Sequence, residues 1–229
     1  MSQTISSTAT GNKTYYAKWG VPVTVSYSCG DATGDAPTRG TATTNTTFTP
    51  AANTCTKEGY YFAGWKVDGT DTYIGDNGVT WSYTENKTLT AQWFQEKFSA
   101  TTISLSANTT VYFTLSAKGT FYVDWGDGSG RTIVRTNTTN TAYSHKYTTA
   151  GARTIKFSST DVSSYNTSTS TAAISFYYSS SASYSLSYKI ASVSGSLSAL
   201  MPYLGAASGQ QPRFYYTFYN ATNLTTVPD

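Results

Sequence analysis

In the stretch NKTLTAQW, Leu89, Ala91 and Trp93 alternate with Thr88, Thr90 and Gln92. A period of two sends one set to a buried face and the other to solvent, the pattern of a half-buried β-strand. The earlier stretch NKTYYAKW repeats this with Tyr15, Ala17 and Trp19 on the apolar side. Both stretches share Asn-Lys-Thr, an alanine and a tryptophan, and Trp19 and Trp93 lie 74 residues apart. Each is read as the closing strand of one repeated unit, with a single complete copy over 20–94. That copy opens with VPVTVSYSCG, where Val23, Val25 and Tyr27 share a face. A long run rich in turn formers follows, over 31–55. EGYYFAGWKVDGT is an aromatic strand running into a hairpin turn at Asp68-Gly69. VTWSYTENKTLTAQW predicts a second hairpin that turns near Glu85-Asn86. Phe62, Trp65, Trp81 and Trp93 are the expected bulk of a small core.

Alternation resumes near Phe98. ISLSANTTVYFTLSAKGTFYVDWGDGSGRTIVR predicts successive strands with turns at Ala107-Asn108, Lys118-Gly119 and Asp127-Gly128. YSHKYTTAGARTIKFSS adds a short polar segment, a glycine turn and a closing strand. STDVSSYNTSTST has the composition of a connector. AAISFYY, KIASVSGSL and RFYYTFYNATNLTTVPD predict further strands, the last with alternate aromatics turned in and out.

Composition supports an all-β chain. Charged residues make up 12% of the 229, about half the usual share of a globular domain, and aromatics make up 15%, with 20 tyrosines. Solubility therefore rests on Ser, Thr, Asn and Tyr rather than on ions. Tyr, Thr, Val and Phe fit pleated, half-buried surfaces. The net charge of +3 comes from 15 scattered Lys and Arg against 12 acidic residues. Without a basic cluster, a nucleic-acid partner is not expected. No stretch has the ~20 apolar residues of a membrane helix, so no membrane insertion is expected. The N-terminal residues lack the apolar core of a signal peptide.

Three stretches resemble known families. KEGYYFAGWKVDGT followed by NKTLTAQW resembles the internalin B-type repeat. Gly59, Tyr60, Phe62, Gly64 and Trp65 match its Gly-Tyr-x-Phe-x-Gly-Trp, and Leu89, Ala91 and Trp93 its closing strand. That resemblance implies a small β-grasp-like module, found in tandem on bacterial surface proteins. VDWGDGS followed by YSHKYTTAGARTIKF resembles the polycystic-kidney-disease (PKD) domain, which implies an immunoglobulin-like β-sandwich acting as a spacer or interaction module. Trp125, Gly126, Asp127, Gly128, Ser129, His145, Tyr147, Gly151, Ile155 and Phe157 carry that match. Phe218, Leu224, Val227 and Pro228 fit the Phe-x5-Leu-x2-Val-Pro pattern of BspA-type leucine-rich repeats, units that need stacked neighbours. The expected organisation is the tail of a preceding B-type repeat over 1–19 and a B-type repeat over 20–94. A PKD-like sandwich over 95–162 and a connector, cap and first leucine-rich unit over 163–229 complete it. Such a chain is expected to be a fragment cut mid-repeat at both ends, with its export signal upstream. Tyr15 and Trp19 would then pair with an edge of the 20–94 unit or with another molecule, or stay disordered.

Chemistry is sparse. Cys29 and Cys55, in an extracellular β-module, suggest one disulfide, with two buried free thiols as the alternative. The bond would close a loop of about 25 residues, worth roughly 3 kcal/mol on the chain-entropy model. His145 is the single histidine, and no Gly-x-Ser-x-Gly elbow surrounds a serine, so no catalytic residues are expected. His and Cys do not have metal-site spacing. Calcium finds only weak candidates: Asp124 with Asp127 in one turn, and Asp68, Asp71 and Asp76 in another. Asp and Gly in turns need only local hydrogen bonding and positive φ as explanation. No cofactor is expected. Tyr215, Tyr216 and Tyr219 are candidate contact residues for proteins or sugar faces, with packing between repeats as the alternative.

Together these point to a non-catalytic, adhesin-like fragment at a bacterial surface or outside the cell. Stalk modules would present a repeat array to a protein or glycan on host, matrix or neighbouring cells. The alternatives are a stalk or filament self-associating through edge strands, and accessory modules of a secreted carbohydrate-active or proteolytic enzyme.

Overall fold

The computed structural model describes residues 11, 19–74, 78–178 and 182–225. It is mainly β. The N-terminal half of the fold holds β1 (Pro22–Ser28), β2 (Gly40–Thr43), β3 (Thr47–Phe48), β4 (Tyr61–Val67), β5 (Tyr73–Ile74), β6 (Val79–Thr80) and β7 (Lys87–Phe94). Five of these form a sheet in the order β2-β1-β7-β4-β5, with β1 parallel to β7 and the other pairs antiparallel. Alternation along β1 and β7 buries Val23, Val25, Leu89 and Ala91 on one face, around Trp65 and Trp81. Phe62 meets Trp65 and Trp93 edge-on, with ring centres 5.1 and 5.7 Å apart.

The turn at Asp68-Gly69 forms, with Gly69 at φ +75°, but the hairpin near Glu85-Asn86 does not. β6 pairs with β3, because Trp81 pulls its chain the other way. Trp81 is fully buried against Phe48 and Tyr83, and it exchanges main-chain hydrogen bonds with Asn45 and Thr46. β7 meanwhile has β1 on one side and β4 on the other, so it has no edge left to offer. Cys29, just after β1, forms a disulfide with Cys55 in the loop before β4. Trp19 is 85% exposed; Tyr15 and the rest of its expected strand lie outside the described residues.

The remaining strands are β8 (Phe98–Thr102), β9 (Thr110–Leu115), β10 (Ala117–Asp124), β11 (Gly130–Arg135), β12 (Thr141–Lys146), β13 (Thr154–Tyr165), β14 (Ile174–Ser175) and β15 (Ile190–Gly195), followed by one short helix, Leu197–Leu200. They build a sheet β11-β10-β13-β8-β15 and a sheet β12-β9-β14. The two sheets enclose one core, in which Phe98, Phe113, Phe157 and Phe176 meet. The region after residue 162 belongs to this core: β14 pairs with β9, β15 pairs with β8, and Ile174, Leu186, Ile190 and Met201 are buried in it.

Three expectations about this half need correction. Lys118-Gly119 is not a turn but an irregularity inside β10, where the register against β13 shifts. A Cβ on Gly119 would lie 3.0 Å from Val162 Cα, so the close approach of the two strands requires glycine there. The Ser/Thr-rich connector is strand as far as Tyr165, because that ring is buried and its hydroxyl donates to Pro202 O at 2.6 Å. The expected strand over 213–225 is a chain of turns. Thr217 N, Tyr219 N and Ala221 N bond to carbonyls three residues back, and Tyr216 and Asn220 take left-handed φ of 57° and 56°, which no extended strand accommodates.

The two halves meet at a small apolar joint. Phe94 and Tyr122 have ring centres 4.1 Å apart, and Ala63 is buried beside them. Lys156 Nζ sits 3.8 Å from the Tyr61 ring centre and 3.4 Å from Glu96 Oε2.

Candidate functional site: a tyrosine-lined cleft

On the sheet β12-β9-β14, Ala142 lies opposite Thr114, and Thr114 opposite Ser175. Three small side chains thus stand in a row across three strands, and they floor a cleft of about 820 Å³. Asn140 and the segment Ser170, Thr171 and Ala172 supply further walls, and the rest is tyrosine: Tyr177, Tyr178, Tyr215, Tyr216 and Tyr219. The Tyr178 ring stacks on Tyr112 of β9, 4.9 Å between centres and 8° between planes.

The tyrosines stand on a stitched base. Ala173 N donates to Arg213 O and Phe176 N to Thr217 O, while Ser175 Oγ donates to Tyr216 O. The buried Thr217 Oγ1 donates to Ile174 O at 2.8 Å. Phe218 packs inward, 5.3 Å from Phe176 between ring centres. With Phe218 anchored, Tyr216 and Tyr219 stay outside, 4.6 Å apart, and Tyr177 meets Tyr219 edge-on at 4.9 Å. Tyr215, Tyr216 and Tyr219 are 46%, 48% and 43% exposed. The neighbouring Tyr215 hydroxyl holds the Tyr216 phenol above the ordinary tyrosine value. Arg213 Nη1 donates to Thr167 O at 3.0 Å and steadies the loop at the cleft's rim.

The lining residues carry no carboxylate, imidazole, thiol, amine or guanidinium. They offer ring faces, hydroxyls and one amide, a set suited to stacking and neutral hydrogen bonding. Tyr215, Tyr216 and Tyr219 were candidates on sequence grounds. Tyr177, Tyr178 and the Ala142–Thr114–Ser175 row were not. Their signal is faint: Thr114 and Ser175 each interrupt an apolar run.

The other candidates have local partners. Asp124 Oδ1 accepts from Gly126 N at 2.8 Å. Asp127 Oδ1 accepts from Ser129 N and Oγ, and its Oδ2 meets His145 Nε2 at 2.7 Å. With Asp127 ionised, Nε2 carries the hydrogen. His145 stacks on the buried Trp125, whose carbonyl accepts from the Tyr147 hydroxyl at 2.9 Å. Burial pushes the Tyr147 phenol far up, with Asp127 adding to the effect. Asp68 accepts from Thr90 Oγ1, Asp71 lies 3.5 Å from Lys66, and Asp76 is outside the described residues. Among the described residues no three His, Cys, Asp or Glu side chains gather where they could hold a metal ion. Among the described residues no helix is long and apolar enough to cross a membrane.

Asp127 makes a pH prediction. Burial works to raise its pKa, but hydrogen bonds from Ser129 and His145 outweigh that and hold it below the ordinary carboxylate value. A depressed folded-state pKa stabilises the fold above the unfolded value of about 4, and that contribution is lost as pH falls through the folded one. The melting temperature is therefore expected to drop below about pH 4. Asp127→Asn should flatten this acid limb; thermal melts of both proteins from neutral to acid pH check it, and identical limbs would refute it.

No protein-family model, curated protein or solved structure matches the chain. The functional reading therefore rests on the residues and their geometry.

Proposed function

We propose that this chain is a non-catalytic, ligand-binding, adhesin-like protein of the bacterial surface or exterior. Its β-rich body holds the tyrosine cleft towards a protein or glycan on host, matrix or neighbouring cells. The observation that carries this reading is the cleft: five tyrosines on a hydrogen-bonded base, three of them nearly half exposed, around an uncharged floor. The disulfide is in keeping with an oxidising compartment.

Several features support the family resemblances. Trp125, Asp127, Ser129, His145 and Tyr147 of the PKD-like motif join in one network between two sheets that share a core. The parallel β1–β7 pair suits a β-grasp-like repeat, with the matched Trp65 and Leu89 buried beside it. Phe218 and Leu224 of the leucine-rich pattern pack inward on the second core, which would serve as the cap.

A stalk without its own ligand is the second reading, favoured by the joint of Phe94, Tyr122, Tyr61 and Lys156 that links the two halves. Beads carrying the purified chain, washed over mucin, matrix proteins and glycan arrays, separate the two. Retention on at least one surface is expected, with Tyr216→Ala releasing it. Beads that bind no surface but clump with one another would favour the stalk or filament.

A further inference from the structure

We infer that the cleft takes a neutral carbohydrate, with the exposed tyrosine rings stacking on sugar faces and Thr114, Ser170, Thr171 and Asn140 bonding to sugar hydroxyls. This rests on the binding function proposed above and names its ligand class.

Three observations lead there. The first is charge. An acidic peptide, sulfated glycan or nucleic acid needs cations in its site, and the lining has none. Two guanidiniums occur in the cleft's supporting segments, and both are already engaged. Arg213 donates to the carbonyls of Asn166, Thr167 and Ser168. Arg135 is buried and donates to Ala117 O, Tyr143 Oη, Asn137 O and Thr139 O. Taking either for an anionic ligand would strip buried or loop carbonyls of their donors.

The second is shape. At about 820 Å³ the cleft falls within the range of pockets for small ligands, roughly 300–1,000 Å³. A protein partner would instead be expected to use a broad patch, about 800 Å² on each side.

The third is the chemistry of the lining. A pyranose is apolar on the faces of its ring and polar around its rim. Tyrosine offers the complementary pair, a π-face that attracts polarised C–H groups and a hydroxyl tip. Tyr216 and Tyr219 are packed against each other and against neighbours, so little side-chain freedom remains to be lost on binding. Thr114, Ser170 and Thr171 add hydroxyls, and Asn140 adds an amide that both donates and accepts; the Ser175 hydroxyl is engaged with Tyr216 O and Tyr177 N.

The test uses the full chain in native affinity gels cast with mannan, dextran, laminarin or xyloglucan, alongside heparin and gelatin gels. At least one neutral polysaccharide is expected to slow migration. Calorimetry with that polysaccharide should show affinity unchanged between about 0.1 and 0.5 M salt. Tyr216→Ala and Tyr219→Ala are each expected to weaken it about tenfold or more. Tyr216→Phe keeps the ring and should keep most of the affinity. Tyr60→Ala, at an exposed tyrosine just before β4, should change nothing. All four variants are at exposed positions, and their melting temperatures verify folding. Salt-sensitive binding to heparin alone, or binding to gelatin alone, overturns the neutral carbohydrate while leaving a binding function. Neutral-glycan binding indifferent to Tyr216 and Tyr219 overturns the site. Binding to none of the probes, together with no retention in the bead assay, overturns both readings.

Discussion

Phe98→Ala is expected to destabilise the two-sheet unit by about 3–5 kcal/mol, the usual cost of deleting a buried aromatic side chain. Phe98 is 2% exposed, and its ring lies against Phe157, Phe176 and Phe218. Its strand, β8, has β13 on one side and β15 on the other, so the void would open where the two meet. Neighbours can relax only partly into such a void, because each is fixed by its own sheet. Phe176 and Phe218 precede Tyr177 and Tyr219 in the chain, so loss of Phe98 should also loosen the cleft's base and weaken ligand binding. Urea unfolding monitored by tryptophan fluorescence measures the stability change. Hydrogen exchange tests its cooperativity: amides of β8 and of β15 should lose protection together. If β15 exchanges freely while β8 stays protected, the region after residue 162 is not part of one cooperative core.

How far the sequence could have led follows from what each element depends on. Alternation in NKTLTAQW placed Leu89 and Ala91 inside β7 because period-two patterning is a local property of the chain. The partner of Val79–Thr80 was not legible, since pairing is decided by where Trp81 finds its pocket, more than thirty residues away in sequence at Thr46 and Phe48. The same limit applies to Gly119. Lys-Gly has the look of a turn, and only the distance to Val162 reveals a close strand crossing. Tyr215, Tyr216 and Tyr219 stood out as a run of aromatics. The floor beneath them comes from three segments spread over 114–175, and no single stretch of the sequence carries it. Turn or strand over 213–225 was equally undecided locally: the aromatic run has strand propensity, but hydrogen bonds to residues 173–176 hold it in successive turns.

Opening the Cys29–Cys55 bond is expected to cost roughly 3 kcal/mol on the chain-entropy model, and to act on the N-terminal sheet alone. The bond closes a loop with a sequence separation of 26, over which the only strands are β2 and β3, of four and two residues. The cost arises in the unfolded chain, which gains freedom over that loop when the link is cut. Two contacts remain beside it. Thr33 and Thr56 exchange main-chain hydrogen bonds at 2.9 and 2.8 Å, and Lys57 pairs with Asp31 at 2.6 Å. The ion pair is largely solvent-exposed on its acidic side, so it offsets little. The N-terminal core around Trp65 and Trp81 is separate from the core around Phe98, and the joint at Phe94 and Tyr122 is small. Calorimetry of Cys29→Ser/Cys55→Ser should therefore show an N-terminal transition moved to lower temperature and a second one left in place. Reducing the intact protein with a thiol gives the same comparison without substitution, which covers the case of a variant that does not fold. Ligand binding at the tyrosine cleft should survive both treatments, because none of its lining residues lies in the N-terminal sheet. Two transitions shifting in step would instead mean that the joint couples the cores strongly, and that the two halves unfold as one body.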